Sequence, residues 1–160
     1  MKVYLAGPLF SIAERSFIDS YAKIFREAGI ECFVPHEHEP DGGVITPHLI
    51  FHKDYDDGIA TANALVAWLD GPMADDGTAC EVGIFYGLMQ QQVPWRKGIL
   101  GLATDWRLTR RRDRVINGGL NEFLAGAIEE VGKICWSIED VLEQLLAWKR
   151  ELDADEGARF

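Results

Sequence analysis

Apolar positions along this chain keep two rhythms. Short apolar runs stand at Val3–Ala6, Glu31–Val34, Ala64–Leu69, Gly98–Ala103 and Ile134–Trp136, and their length and composition predict strands. Between them apolar residues recur at helical spacing over Ala13–Ala28, His48–Ala62, Thr78–Gln90, Leu120–Val131 and Ile138–Leu152. Strands alternating with helices predict βαβ units, hence an α/β fold with a parallel sheet of about five strands. Gly29, after "FREA", sits where a helix-ending glycine belongs. No repeat, low-complexity run or linker interrupts the pattern, so residues 1–160 are expected to form a single domain. The polar tail "DADEGARF" is expected to fray, apart from its terminal Phe160.

In a doubly wound sheet of this flavodoxin- or Rossmann-like kind, ligands bind beyond the carboxyl ends of the strands. Three segments converge there: "AGPLFS", "DGPMADDGTACE" and "TDWR". Gly7 and Gly77 let a ligand approach the backbone closely and are read as substrate-binding positions. The second segment carries Asp70, Asp75, Asp76 and Glu81 within twelve residues. Thr78-Ala79-Cys80-Glu81 fits a capping box, as do Ser11–Glu14 and, more weakly, Ser137–Asp140. A cap alone does not need four carboxylates beside a strand end, which turns attention to Glu81 as a chemical group.

Composition narrows the partners. A formal net charge of −10 disfavours nucleic acid and anionic membranes, both polyanionic. Cys32, Cys80 and Cys135 are odd in number and widely spaced, which predicts reduced thiols in the cytoplasm. The N-terminus "MKVYLAGPLFS" is too short for a signal peptide or a membrane span. "HEHE" at 36–39 and the His48/His52 pair lack the partners of a metal site, so no metal and no cofactor are expected. The loop bearing "HEHE" follows the second strand at the same sheet edge, where a part in base recognition is open. The basic run "RLTRRRDR" at 107–114 reads as a solvated loop or a subunit contact, and Trp68 and Trp95 as core or interface residues.

"VYLAGPLF", "ALVAWLDGPMADDGTACEVG", "GILGLATDWR" and "NEFLAGAI", in this order, resemble the nucleoside 2-deoxyribosyltransferase family from about residue 2 to residue 128. The glycine-threonine-alanine-x-glutamate-x-glycine element is the specific part. The resemblance implies exchange of the base of a 2′-deoxynucleoside, with Glu81 attacking C1′ to form a deoxyribosyl-enzyme. The chemistry is that of a retaining glycosidase, in which a carboxylate traps an oxocarbenium-like centre. It further implies that Tyr4 orients Glu81 and that Asp75 holds the sugar 5′-hydroxyl. Asn121, with Asn117 as the fallback, would reach a neighbouring subunit's site, so the chain is expected to be a homo-oligomer with shared sites. The family's count for the acid that protonates the leaving base lands on Tyr55. Asp54 is favoured among the flanking Asp54, Asp56 and Asp57.

Three other readings stand beside the transferase. A related 2′-deoxynucleoside 5′-monophosphate N-glycosidase would use water as acceptor, but Asp75 would repel its phosphate. A nucleotide-sensing module would bind in the same crevice without turnover, with Glu81 locked in capping. A carboxylate-rich metal hydrolase would lose its activity to chelators.

Overall fold

The computed structural model describes residues 1–38, 44–109 and 119–157. Among these residues five strands form one parallel sheet: β1 (Lys2–Ala6), β2 (Glu31–Phe33), β3 (Ala64–Trp68), β4 (Gly98–Leu102) and β5 (Gly132–Cys135). Their spatial order is β2-β1-β3-β4-β5. Val3, Tyr4, Leu5 and Ala6 are all 0 % exposed, because helices cover both faces of the sheet. Such two-sided burial explains why the strands read as short continuous apolar runs rather than alternating ones.

Among the described residues six α-helices flank the sheet: α1 (Ile12–Glu27), α2 (Pro47–His52), α3 (Asp76–Met89), α4 (Trp106–Thr109), α5 (Glu122–Val131) and α6 (Ile138–Gly157). Val3 and Leu5 pack on the side of Ile18, Tyr21 and Phe25 from α1 and Val141 and Leu145 from α6. Tyr4 and Ala6 point the other way, toward Val82 and Phe85 of α3 and Leu124 and Ile128 of α5. Helix α1 starts in a full capping box between Ser11 and Glu14. It ends with Gly29 at φ +75°, while the N–H of Ile30 bonds the carbonyl of Phe25 at 3.0 Å. That left-handed glycine turns the chain back into β2.

Three sequence expectations are corrected. The expected continuous helix over 48–62 is broken into α2, a π-helical turn over Lys53–Gly58 and a 3₁₀ turn over Ile59–Thr61. In the widened turn the N–H of Ile59 reaches back to the carbonyls of Asp54 and Tyr55. The expected cap of α3 at Thr78 lies instead at Asp75, whose carboxylate accepts from the Thr78 N–H at 2.9 Å. Glu81 therefore takes no part in capping and stands in the second turn of α3. The tail expected to fray from Asp153 continues as helix α6 to Gly157.

The chain moves from β1 out to β2, then returns across β1 to β3 and onward to β4 and β5. The resulting switch point lies between the carboxyl ends of β1 and β3, where an open α/β sheet leaves its crevice.

Candidate active site

A cleft of about 340 Å³ occupies this switch point. Its walls come from the β1–α1 loop (Gly7, Leu9, Phe10), the turn after β2 (His36, His38), Asp54 of the π turn, and the start of α3 (Asp75, Gly77, Glu81). The topology thus brings Gly7, Asp54, Asp75, Gly77 and Glu81 to one place from three stretches of chain. A second hollow of about 350 Å³ shares Asp54, Gly77 and Glu81 with the first and is otherwise walled mainly by apolar side chains such as Phe51, Tyr55 and Ile84.

Tyr4 lies beneath Glu81. Its ring is buried in the middle of β1, stacked on Phe33 with centroids 5.5 Å apart and planes 15° from parallel. The Tyr4 Oη donates a hydrogen bond to Glu81 Oε1 at 2.5 Å. Burial raises the Glu81 carboxyl to about 8; the Tyr4 hydrogen bond opposes the rise, and the charges of Asp54 and Asp75 add to it. The same burial, with Glu81 next to it, drives the Tyr4 phenol far above its ordinary value, so it remains a donor at any physiological pH. The helix dipole contributes little to Glu81, since its influence fades after the first turn.

Asp54 is raised to about 6 by burial, with the adjacent Lys53 ammonium pulling the other way. Asp56 and Asp57 are spent outside the cleft: Asp56 pairs with His52 at 3.0 Å and Asp57 with Lys53 at 2.6 Å. Tyr55, on which the family's count falls, stacks in parallel on Phe51 and packs on the core. Of these four residues, Asp54 alone lines the cleft.

Other acidic groups of the second segment hold loops. Asp70 accepts from the backbone N–H of Thr104 at 2.6 Å and of Asp105 at 2.7 Å, and from the Thr104 hydroxyl. It clamps the loop after β4 to the end of β3. Asp76 binds the N–H of its neighbour Gly77 at 2.8 Å. Asp75 uses Oδ2 to cap α3 and still lines the cleft. Gly7 is confined by packing, since a Cβ there would meet Ile18 Cδ1 at 3.0 Å and Trp68 Cβ at 3.3 Å.

Asn121 lines neither hollow of its own chain. It caps α5, accepting from the N–H groups of Phe123 at 3.0 Å and Leu124 at 3.1 Å. Asn117, residues 110–114 of the basic run, Glu39 and Phe160 lie outside the described residues. Arg107, at the start of that run, is held by Asp105 through Nε at 3.0 Å.

Sequence reasoning gave no role to Arg15 or Lys53, which line the cleft, or to Gly58 behind Tyr4. For His36 and His38 it left open a part in base recognition by their loop. His36 is largely enclosed and paired with Asp19 at 2.9 Å, and His38 stacks on Phe33 with centroids 4.3 Å apart. The position of their loop after β2, at the same sheet edge, was the available signal. No group of three or more His, Cys, Asp or Glu side chains suited to a metal exists among the described residues. Cys32, Cys80 and Cys135 are free thiols. No described helix is long and apolar enough to cross a membrane.

A family model described as nucleoside 2-deoxyribosyltransferase matches residues 3–135. The chain is 31 % identical over 156 residues to an uncharacterized protein of Ureaplasma parvum, covering 91 % of this chain and 94 % of that one. A conserved protein from Enterococcus faecalis is similar in structure, with a TM-score of 0.72, 26 % identity, and coverage of 94 % and 98 % of the two chains. A 2-deoxyribosyltransferase from Bacillus psychrosaccharolyticus has a TM-score of 0.64 at 21 % identity, covering 89 % of this chain and 90 % of that one. A CMP N-glycosidase from Clostridium botulinum has a TM-score of 0.53 at 18 % identity, with 92 % and 99 % covered.

Proposed function

Because the chain belongs to the nucleoside 2-deoxyribosyltransferase family, we propose that it exchanges the bases of 2′-deoxynucleosides through a covalent deoxyribosyl-Glu81 intermediate. One observation carries the reading: the partly buried Glu81 carboxyl group, hydrogen-bonded by a tyrosine at 2.5 Å, shares a cleft with the Asp54 carboxyl group, and burial raises both above their ordinary values. In the first step a Glu81 oxygen bonds to C1′ as the N-glycosidic bond breaks, and the departing base takes the proton of Asp54. In the second step an incoming base nitrogen bonds to C1′, the C1′–O bond to Glu81 breaks, and Asp54 takes up the proton released by the base. Two inversions give net retention. Tyr4 holds the Glu81 carboxylate in line by occupying one of its oxygens.

Asp75 is assigned the sugar 5′-hydroxyl, with Gly7 and Gly77 giving the sugar room against the backbone. Asn121 of a second copy is assigned to the same hydroxyl, which makes the working form a homo-oligomer. The reading needs neither metal nor cofactor, involves no nucleic acid or membrane, and carries with it a cytoplasmic place in nucleotide salvage. Free thiols and the acidic surface are consistent with that place.

A second reading has a specific observation in its favour. Arg15 and Lys53 line the cleft, and cations there would offset the repulsion between Asp75 and a 5′-phosphate. That arrangement would suit hydrolysis of deoxynucleoside 5′-monophosphates. The ground set out for a sensing module is absent, since Glu81 takes no part in capping.

Incubation with deoxyinosine and adenine, followed by separation of products, distinguishes these. Deoxyadenosine should form with wild-type protein and not with Glu81→Gln. Release of free base from deoxynucleoside monophosphates, with no exchange between nucleosides, would replace the first reading by the second.

A further inference from the structure

We propose that Gly58 is a positioning residue that fixes the distance between Asp54 and Glu81 by letting the π turn close on the ring of Tyr4. The proposal rests on the roles assigned above to Asp54 and Glu81. The π turn runs from Lys53 to Gly58, with Asp54 in its first turn. A Cβ at position 58 would lie 2.8 Å from both Cδ2 and Cε2 of Tyr4 and 2.9 Å from Cδ1 of Phe33. Carbon atoms in ordinary contact stand about 3.5–4.0 Å apart, so even one methyl group does not fit. The backbone at Gly58, with φ −100° and ψ −84°, does not lie in the left-handed region. Glycine is required here by space.

Tyr4 has little freedom to yield. Its ring is buried, Phe33 covers it, and its hydroxyl is committed to Glu81. The turn is also fastened to the strand that carries Tyr4. Lys2 Nζ donates to the Asp57 carbonyl at 2.6 Å and to Thr61 Oγ1 at 2.8 Å, and Thr61 Oγ1 donates to the Gly58 carbonyl at 3.1 Å. The two carboxyl groups are therefore connected through β1, from Glu81 to Tyr4 to Gly58 and along the turn to Asp54. A methyl group at position 58 must move the Tyr4 hydroxyl away from Glu81 or push the turn, with Asp54, outward. Either movement changes how Glu81 titrates, because Asp54 and Tyr4 both act on it.

The test compares Gly58→Ala with Gly87→Ala, a helix position where a Cβ meets nothing within 4 Å. Each full-length variant, labelled at its side-chain carboxyl carbons, is titrated by NMR. The kcat and KM for exchange from deoxyinosine to adenine are then measured. Gly58→Ala should lower kcat roughly 10- to 100-fold, the cost of misplacing reacting groups by about 1 Å, with KM changed far less. Its upper carboxyl titration should move by at least about half a pH unit, while Gly87→Ala moves neither quantity. Phe33→Leu added to Gly58→Ala removes one wall of the contact and should restore most of the activity and the titration. Wild-type kcat and titrations in Gly58→Ala would overturn the proposal. Failure of both Gly58 variants to fold would do so too, since the residue would then hold the fold rather than the site. If the wild-type protein exchanges no bases, the function proposed above fails, while the titrations still decide the role of Gly58.

Discussion

Burial in the cleft lifts the Glu81 carboxyl from the ordinary 4.5 to about 8, with only the Tyr4 hydrogen bond favouring its ionised form. An acid with a higher pKa in the folded chain binds more protons folded than unfolded, so stability falls as pH rises between those two values. Glutamine cannot ionise, and Glu81→Gln should escape that loss. Denaturant unfolding at pH 5, 6.5 and 8 should find the variant close to wild type at pH 5. At pH 8 it should be more stable by on the order of a few kcal/mol. An offset that stays constant with pH would contradict the raised value. Asp54, raised to about 6, adds a second titration to the same cleft. Below about 6 both carboxyls hold protons and the nucleophile is lost; above about 8 both are ionised and the acid is lost. The dependence of kcat/KM on pH should therefore be a bell with limbs near these values, belonging to the pair rather than to either residue. Tyr4→Phe removes the donor that favours ionised Glu81. It should raise the upper limb, leave the lower one in place, and reduce kcat/KM on the order of a hundredfold. An upper limb that stays put in Tyr4→Phe would separate Tyr4 from the titration of Glu81.

Helix α3 is the element on which the sugar side of the site depends. Asp75-Asp76-Gly77-Thr78 offers two capping residues three positions apart, and the sequence pattern favours the later one for its downstream glutamate. The chain uses the earlier one, which frees Glu81 for Tyr4. The strands were legible because the buried runs of a parallel sheet have no solvent face to confuse them. Asp75 and Glu81 stood out as carboxylates in the segment after the third strand, Asp54 only through the family resemblance, and all three line one cleft. The π turn was not legible, because "HLIFHKDYDDG" keeps helical spacing and its widening accompanies a contact with Tyr4 far away in sequence. The enclosure of His36 depends likewise on Asp19 from α1, which no local pattern reveals. Serine is as good a helix cap as aspartate, so Asp75→Ser removes a charge while keeping the element. A 5′-phosphate about 4 Å from Asp75 would be repelled by roughly 4 kcal/mol at an effective dielectric near 20, close to a thousandfold in rate if most of it survives screening. Deoxyadenosine should then surpass its monophosphate in kcat/KM, and Asp75→Ser should narrow that gap at least tenfold, roughly 1.4 kcal/mol, with little change in Tm. A gap that Asp75→Ser leaves unaltered would place the 5′ position elsewhere in the cleft.

At the scale of the whole molecule, the carboxyl edge of the sheet is unusually apolar. Phe10 is 83 % exposed, Met73 76 %, Trp106 68 % and Phe123 89 %. These residues come from four different loops or helix starts that follow the strands, where a surface facing water alone would favour polar groups, and only Phe10 of the four lines the cleft. Phe123 stands two residues from Asn121, the position assigned to a neighbour's site, and Asn121 lines neither of the two hollows described above. Both observations fit a second copy seated over this edge, with each copy supplying Asn121 to the other's Glu81. In such a pair, loss of Glu81 and loss of Asn121 disable different halves of one site. Glu81→Gln and Asn121→Ala should each be nearly inactive alone. When they are mixed, unfolded together and refolded, half of the pairs should be hybrids, each with one site that joins an intact Glu81 to an intact Asn121. A two-fold assembly with random mixing then regains about a quarter of wild-type activity. The same mixture joined without refolding should recover only as fast as subunits exchange, which sedimentation or native mass spectrometry can follow in parallel. Activity that never exceeds the sum of the two variants, despite hybrids being detected, would mean that Asn121 serves only as the cap of α5.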